Sequence, residues 1–333
     1  MKKMITLSLV VFLVVAWTVS AFASEVVVYS ARKEHLIKPI FEAYTAKTGV
    51  EVKYITGKAG ALLERIKAEG ENTPADMFIT VDAGNLWHAA EEGIFQPIKS
   101  KTLVSNIPSH LRDPQDRWVG LSVRARTIVY NKDKVNPSEL STYEALSAPE
   151  WKNRLLLRTS KKVYNQSLVA SLIAEKGEAE TESIVKSWVA NMPVAPFSSD
   201  TKTLEAVVAG VGDVAIVNTY YFGRLLKKNP DLPLAIFWPN QDTTGVHMNV
   251  SGAGITQHAK NKAEAVKLLE WLSSSEAQGQ FASLNMEYPA NESVNDDPVV
   301  AAWGEFKGNP MNVAKYGEYQ SAAIKLMDRA GYK

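Results

Sequence analysis

Three tyrosines stand where a chain of alternating strands and helices puts its chemistry. Tyr220 and Tyr221 follow the apolar run Val214-Ala215-Ile216-Val217 and open a helical pattern, so two adjacent phenols are expected at the carboxyl end of a strand. In an open α/β sheet that end is where ligands sit. Tyr164 repeats the arrangement between Leu155-Leu156-Leu157 and the amphipathic stretch from Asn165 to Glu175. A deprotonated phenol is a hard anionic donor of the kind that hard cations prefer, and three of them would neutralise a ferric ion. The unperturbed phenol has a pKa of about 10, so the metal must displace protons and binding must weaken in acid. A tyrosine pair taken alone is more often a core or rim ring with its hydroxyl hydrogen-bonded. The rest of the chain has to decide.

At the amino terminus Lys2 and Lys3 precede an apolar stretch from Met4 to Val19 and then Ala21-Phe22-Ala23, a small-x-small cleavage pattern. The expectation is a signal peptide over 1–23 and an exported, periplasmic chain beginning at Ser24. The chain has no cysteine, which excludes both a lipid-modified cysteine and disulfides. Loss of Lys2 and Lys3 takes the formal charge of +1 to −1, and a near-neutral surface argues against nucleic acid or an anionic membrane as partner. The remaining length usually exceeds a single core.

Short β-branched runs alternate with helical patterns, the α/β signature. Strands are expected over Val26 to Ser30, Val50 to Ile55 and Met77 to Val81, with helices over His35 to Thr48, Gly60 to Glu69 and Asn85 to Glu92. The long extended stretch Trp118 to Asn131 suits a strand that leaves one lobe and enters another. Lys152 to Thr159, Met192 to Pro196 and Asp213 to Val217 read as extended segments of the second lobe, the middle one demoted to an edge by its prolines. Helices fall at Gln166 to Lys176, Glu178 to Ala190 and Thr203 to Ala209. Thr244 to Ile255 reads as a return crossing. Helices over Asn261 to Ser273 and Ser275 to Leu284, an extended Glu287 to Ala290 and one last helix, Ala314 to Ala330, complete the chain. Two crossings imply two discontinuous lobes, 24–123 with 247–298 and 124–246 with 299–333, hinged about a ligand cleft. The fold class is therefore a two-lobed α/β periplasmic binding protein of type II, each lobe a mixed sheet flanked by helices.

The resemblance then becomes specific. Leu62 to Gly70, Pro74-Ala75-Asp76, Arg124-Ala125-Arg126, Tyr130-Asn131-Lys132, Leu140 to Leu146, Tyr164 to Ser171, Asn218-Thr219-Tyr220-Tyr221, Asn249-Val250-Ser251-Gly252 and Gly304 to Lys307 occur in order over nearly the whole mature chain. Together they resemble the ferric-iron-binding proteins of periplasmic ABC importers, in their tyrosine-rich branch. The resemblance implies Fe³⁺ as cargo, Tyr164, Tyr220 and Tyr221 as its ligands, and Arg124 as the residue that holds a synergistic anion such as carbonate or orders the site. It also implies a monomer that delivers to an inner-membrane permease driven by an ATPase. A guanidinium offers a planar oxyanion a fixed fork, but Arg126, two residues on, would share the same strand face. The pattern does not separate the two arginines.

One departure from the family's pattern concerns the first lobe. Many relatives carry a His-Tyr pair after the first strand's arginine, whereas here Arg32 is followed by Lys33 and Glu34. Glu34 is a hard oxygen donor able to coordinate directly or through water, and equally a glutamate of the kind the helix dipole favours in a first turn. His35 opens that helix, where a capping or exposed role is the ordinary one; His247 is expected in the hinge or cleft. His88, His110 and His258 show no ligand spacing.

Catalytic signatures are missing: no Gly-x-Ser-x-Gly, no His-Glu-x-x-His, no phosphate-binding Gly-x-x-x-x-Gly-Lys loop. Two alternatives stay open. The same fold could bind another small solute or oxyanion, with the tyrosines as hydrogen-bond donors. More remotely, a secreted hydrolase could use carboxylates such as Asp76 and Asp82.

Overall fold

The computed structural model describes residues 24–333, so the expected signal peptide lies outside the described residues. Strands β1 (Glu25–Ser30), β2 (Glu51–Thr56) and β3 (Met77–Val81) pair in parallel in the order β2-β1-β3. Val26, Val28, Met77 and Ile79 are buried on one face of β1 and β3, and Tyr29 and Phe78 on the other, as sheets covered by helices require. β3 then pairs antiparallel with the returning strand β8 (Met248–Ile255), and β8 with β4 (Val119–Asn131).

β4 is the element that joins the lobes. Its 13 residues, all buried, span about 43 Å at ~3.3 Å per residue. Val119 to Ala125 pair with β8. Arg126 to Tyr130 pair instead with β6 (Val214–Asn218), and Ile128 to Asn131 also with β7 (Leu234–Phe237). The strand therefore leaves the first sheet and enters the second between Ala125 and Arg126. β5 (Leu155–Leu156) lies parallel to β6, and the short β9 (Tyr288–Pro289) pairs with Ser122 and Val123.

Several expectations shift for physical reasons. Met192 to Pro196 forms no strand, because Pro193 and Pro196 have no N–H to give to a ladder. Lys152 to Thr159 narrows to Leu155–Leu156 plus a single bridge from Arg158 to Phe197. The last helix is two, Ala314–Glu318 and Gln320–Arg329. Gly317 lets the first of them come so close to Trp87 that an added Cβ would stand 2.3 Å from the Trp87 Cβ. β7 had no counterpart in the sequence reading.

Four strands deliver their carboxyl ends to helices that start near one another: β1 to Glu34–Thr48, β3 to Ala83–Glu91, β5 to Val163–Lys176 and β6 to Thr219–Lys228. The first two belong to one sheet and the last two to the other.

Candidate metal centre

Tyr164 and Tyr220 each occupy the second position of the helix that follows a strand, with Tyr221 next along the second helix. Neither helix has a side-chain cap, at Lys162 or at Asn218. The first-turn N–H groups are left without that partner, and the positive end of each helix favours an anion there. The Tyr220 and Tyr221 rings pack 4.4 Å apart between centroids, tilted by 35°. All three tyrosines line one cavity of about 180 Å³. Its opposite wall is Ala31, Arg32, Lys33, Leu36 and Val81 of the first lobe.

Arginines surround the phenols. Arg124 is buried, with one Nη donating to Ser251 Oγ at 2.8 Å and the other to the Val250 carbonyl at 2.9 Å, while its Nε has no partner. Its guanidinium carbon stands 5.4 Å from the Tyr164 ring centre. Arg158 lies over Tyr164 at 5.1 Å and reaches the Tyr221 hydroxyl at 3.5 Å. Arg224, one helical turn beyond Tyr220, lies over the two adjacent rings at 5.1 and 5.8 Å and donates across the cleft to Asn285. Arg32 bonds Glu287 at 3.0 Å and Ser122 at 3.2 Å, leaving its Nε and second Nη free. Gly223 makes the crossing possible, since a Cβ there would meet Trp303 at 2.6 Å and Met286 at 2.7 Å.

Burial raises the pKa of Tyr164, against the pull of Arg124, and raises that of Tyr220 further, with Tyr164 and Tyr221 adding like charge. These two phenols are therefore protonated at neutral pH until a cation displaces the protons. Glu287 stays ionised: burial would raise its pKa, but Arg32 and Arg124 hold it below the ordinary carboxylate value.

The two arginines of Arg124-Ala125-Arg126 have different fates. Arg126 is consumed by structure, pairing with Asp200 at 3.1 Å and bonding Asn218, Asn165 and the Ile216 carbonyl. Arg124 faces the cavity. Glu34 is not brought to the cluster; it is exposed, accepts from the Tyr54 hydroxyl at 3.3 Å, and does not line the cavity. His35 is exposed too. His247 is buried in the return crossing, with Nδ1 3.1 Å from Ser171 Oγ and the ring 4.6 Å from that of Tyr316. Asp76 and Asp82 flank β3 and stand about 20 Å apart at the rise of a strand, too far to act as a pair. Each is spent on structural hydrogen bonds. Among the described residues no three His, Asp or Glu side chains gather as a metal site, which leaves the phenols as the clustered oxygen donors. The sequence reading missed Arg158, Arg224 and Glu287, although the spacing of Tyr220 and Arg224 on one helix face was a usable signal.

Two lobes sharing a continuous strand, with a polar cavity between the ends of their sheets, define a binding protein that grips a small ligand between its halves. The chain belongs to the bacterial extracellular solute-binding proteins, whose family model matches residues 72–307. It is 45% identical to iron uptake protein A1 of Synechocystis over 93% of this chain and 88% of that one. Among solved structures it resembles a Trichodesmium protein (IdiA, FutA) in complex with iron and citrate, at 46% identity and a TM-score of 0.90, covering 93% of this chain and all of that one. The ferric iron-binding protein A of Mannheimia haemolytica in an open conformation matches at 36% identity and a TM-score of 0.87, over 93% of this chain and 99% of that one.

Proposed function

We propose that this protein is the periplasmic substrate-binding component of a ferric-iron ABC importer, holding Fe³⁺ on the phenolates of Tyr164, Tyr220 and Tyr221. The observation that carries the reading is the convergence of three phenols, from two strand-to-helix turns of one lobe, on a cavity closed by the other lobe. Three phenolates balance the charge of Fe³⁺, and the uncapped helix ends and arginines favour their ionised forms. Glu34 does not line the cavity, and Glu287, the first-lobe carboxylate that does, is already held by Arg32 and Ser122, which leaves part of the metal's coordination open. An oxyanion, carbonate or a carboxylate such as citrate, fills that place against Arg124 and the free nitrogens of Arg32. Closure excludes water and strengthens each of these interactions.

The protein binds and does not turn substrate over. It presents iron to a membrane permease driven by an ATPase, and release follows from reopening, from protonation of the phenolates, or from reduction, since ferrous iron leaves surplus phenolate charge. Titrating metal-stripped protein with a weak ferric chelate tests the reading. A visible tyrosinate-to-iron band saturating at one iron per chain and fading in Tyr220→Phe is expected. A colourless, folded protein would instead make the cationic walls a site for an oxyanion cargo.

A further inference from the structure

A second cavity of about 550 Å³ adjoins the cleft and shares Tyr221 and Arg224 with it. Its other walls are Thr201, Glu205, Leu225, Lys227 and Lys228. On the helix Thr219–Lys228, Tyr221, Arg224 and Lys228 fall at the i, i+3, i+7 spacing of one face, so cations step outward from the phenols. Among the described residues neither lysine makes a salt bridge or side-chain hydrogen bond, and Arg224 bonds only the neutral Asn285. The vestibule thus sets three cations against the one carboxylate of Glu205. The cleft behind it sets Arg32, Lys33, Arg124 and Arg224 against Glu287. Such walls, in a chain whose overall formal charge is only +1, repel a bare trivalent cation. They attract an anion.

We propose that the vestibule beside Tyr221 is a docking site for anionic polycarboxylate chelates of Fe³⁺, whose free carboxylates are held by Arg224, Lys227 and Lys228 while the phenols take over the metal. The inference rests on the ferric reading above. In the exchange each phenol gives up its proton as its oxygen replaces a chelator oxygen on iron, and the displaced carboxylates and solvent accept those protons. Iron keeps its oxidation state. The chelator, once stripped, is a free anion, and one of its carboxylates can remain against Arg124.

Stopped-flow transfer into metal-stripped protein tests this, following the tyrosinate band from two donors: ferric citrate in excess citrate, which is anionic, and neutral ferric tris(acetohydroxamate). One-sign clefts raise on-rates by about 10- to 1,000-fold. Lys227→Gln with Lys228→Gln should therefore slow transfer from ferric citrate at low ionic strength about tenfold and flatten its salt dependence. The hydroxamate rate should stay unchanged, and the corresponding pair of arginine substitutions should preserve the citrate rate. Equal slowing with both donors, or no slowing with citrate, overturns the vestibule. A parent protein that develops no band from either donor overturns instead the ferric function on which it rests.

Discussion

Ser167 Oγ donates to Asp82 Oδ1 at 2.7 Å, tying the helix that carries Tyr164 to the first lobe. Asp82 is buried, has a positive φ of 80°, and caps its own helix through the Gly84 N–H at 2.9 Å. Asn249 of the return strand donates to its other oxygen at 3.0 Å. A residue in that backbone region persists only where its surroundings over-determine it, and here both lobes and the crossing strand contribute. Ser167→Ala removes one partner of a buried carboxyl and should cost on the order of 1–3 kcal/mol. A lower melting temperature together with weaker iron retention is expected; unchanged values for both would show that the contact is not made in solution.

Phenol substitution separates ligation from packing. Tyr164→Phe and Tyr220→Phe keep the ring and lose only the oxygen, so the fold should survive while ferric affinity drops by orders of magnitude and the visible band shifts or vanishes. Competition with a calibrated chelator measures the affinity, and circular dichroism checks the fold.

Glu34 makes a useful contrast because it faces Tyr54 instead of the cavity. Glu34→Ala should change ferric affinity far less than Tyr164→Phe does. An equal loss in the same competition assay would make Glu34 a ligand after all.

Arg124 holds a free Nε in the cavity wall. Burial works against its charge, yet Tyr164 and Tyr220 hold its pKa above the ordinary arginine value. Arg124→Ala should weaken iron binding, and added carbonate or citrate should tighten the variant far less than the parent. Affinity with the same anion dependence as the parent would count against an anion role.

Acid should act twice. Iron binding that displaces up to three protons should lose up to about a thousandfold in apparent affinity per pH unit below the phenol pKa values, readable from the band in buffered titrations. Separately, burial, with Arg126 and Arg124 adding to it, depresses the His247 pKa to about 3. Between that value and about 6.5 the unfolded chain binds the proton that the folded chain refuses, so stability is present above the unfolded pKa and falls as pH falls. The loss between pH 6.5 and 5 should be about 2 kcal/mol. Asp82, whose pKa burial raises, works in the opposite direction, so the measurement is the difference between His247→Gln and parent in melting temperature across that window. Parallel curves would mean that His247 titrates normally.

Much of the architecture was legible because it depends on local periodicity. Alternating apolar runs and amphipathic stretches placed β1, β3, β4 and β6, and the abrupt change from run to helix placed Tyr164, Tyr220 and Tyr221 at strand ends, where the chain must turn outward. The long run Trp118 to Asn131 already implied a strand with two neighbourhoods. Short pairings carry little pattern of their own, so β7 went unseen and Lys152 to Thr159 was read too long. Only the tertiary structure decided what meets in the cleft. A period of two puts Arg124 and Arg126 on one face of β4, and they part because that strand changes sheets between them, leaving Arg126 to Asp200 and Arg124 to the cavity. Arg32 and Glu287 reach the site from stretches of chain distant from the tyrosines, and whether their charges are paired or free depends on how the two lobes close, which no local spacing records.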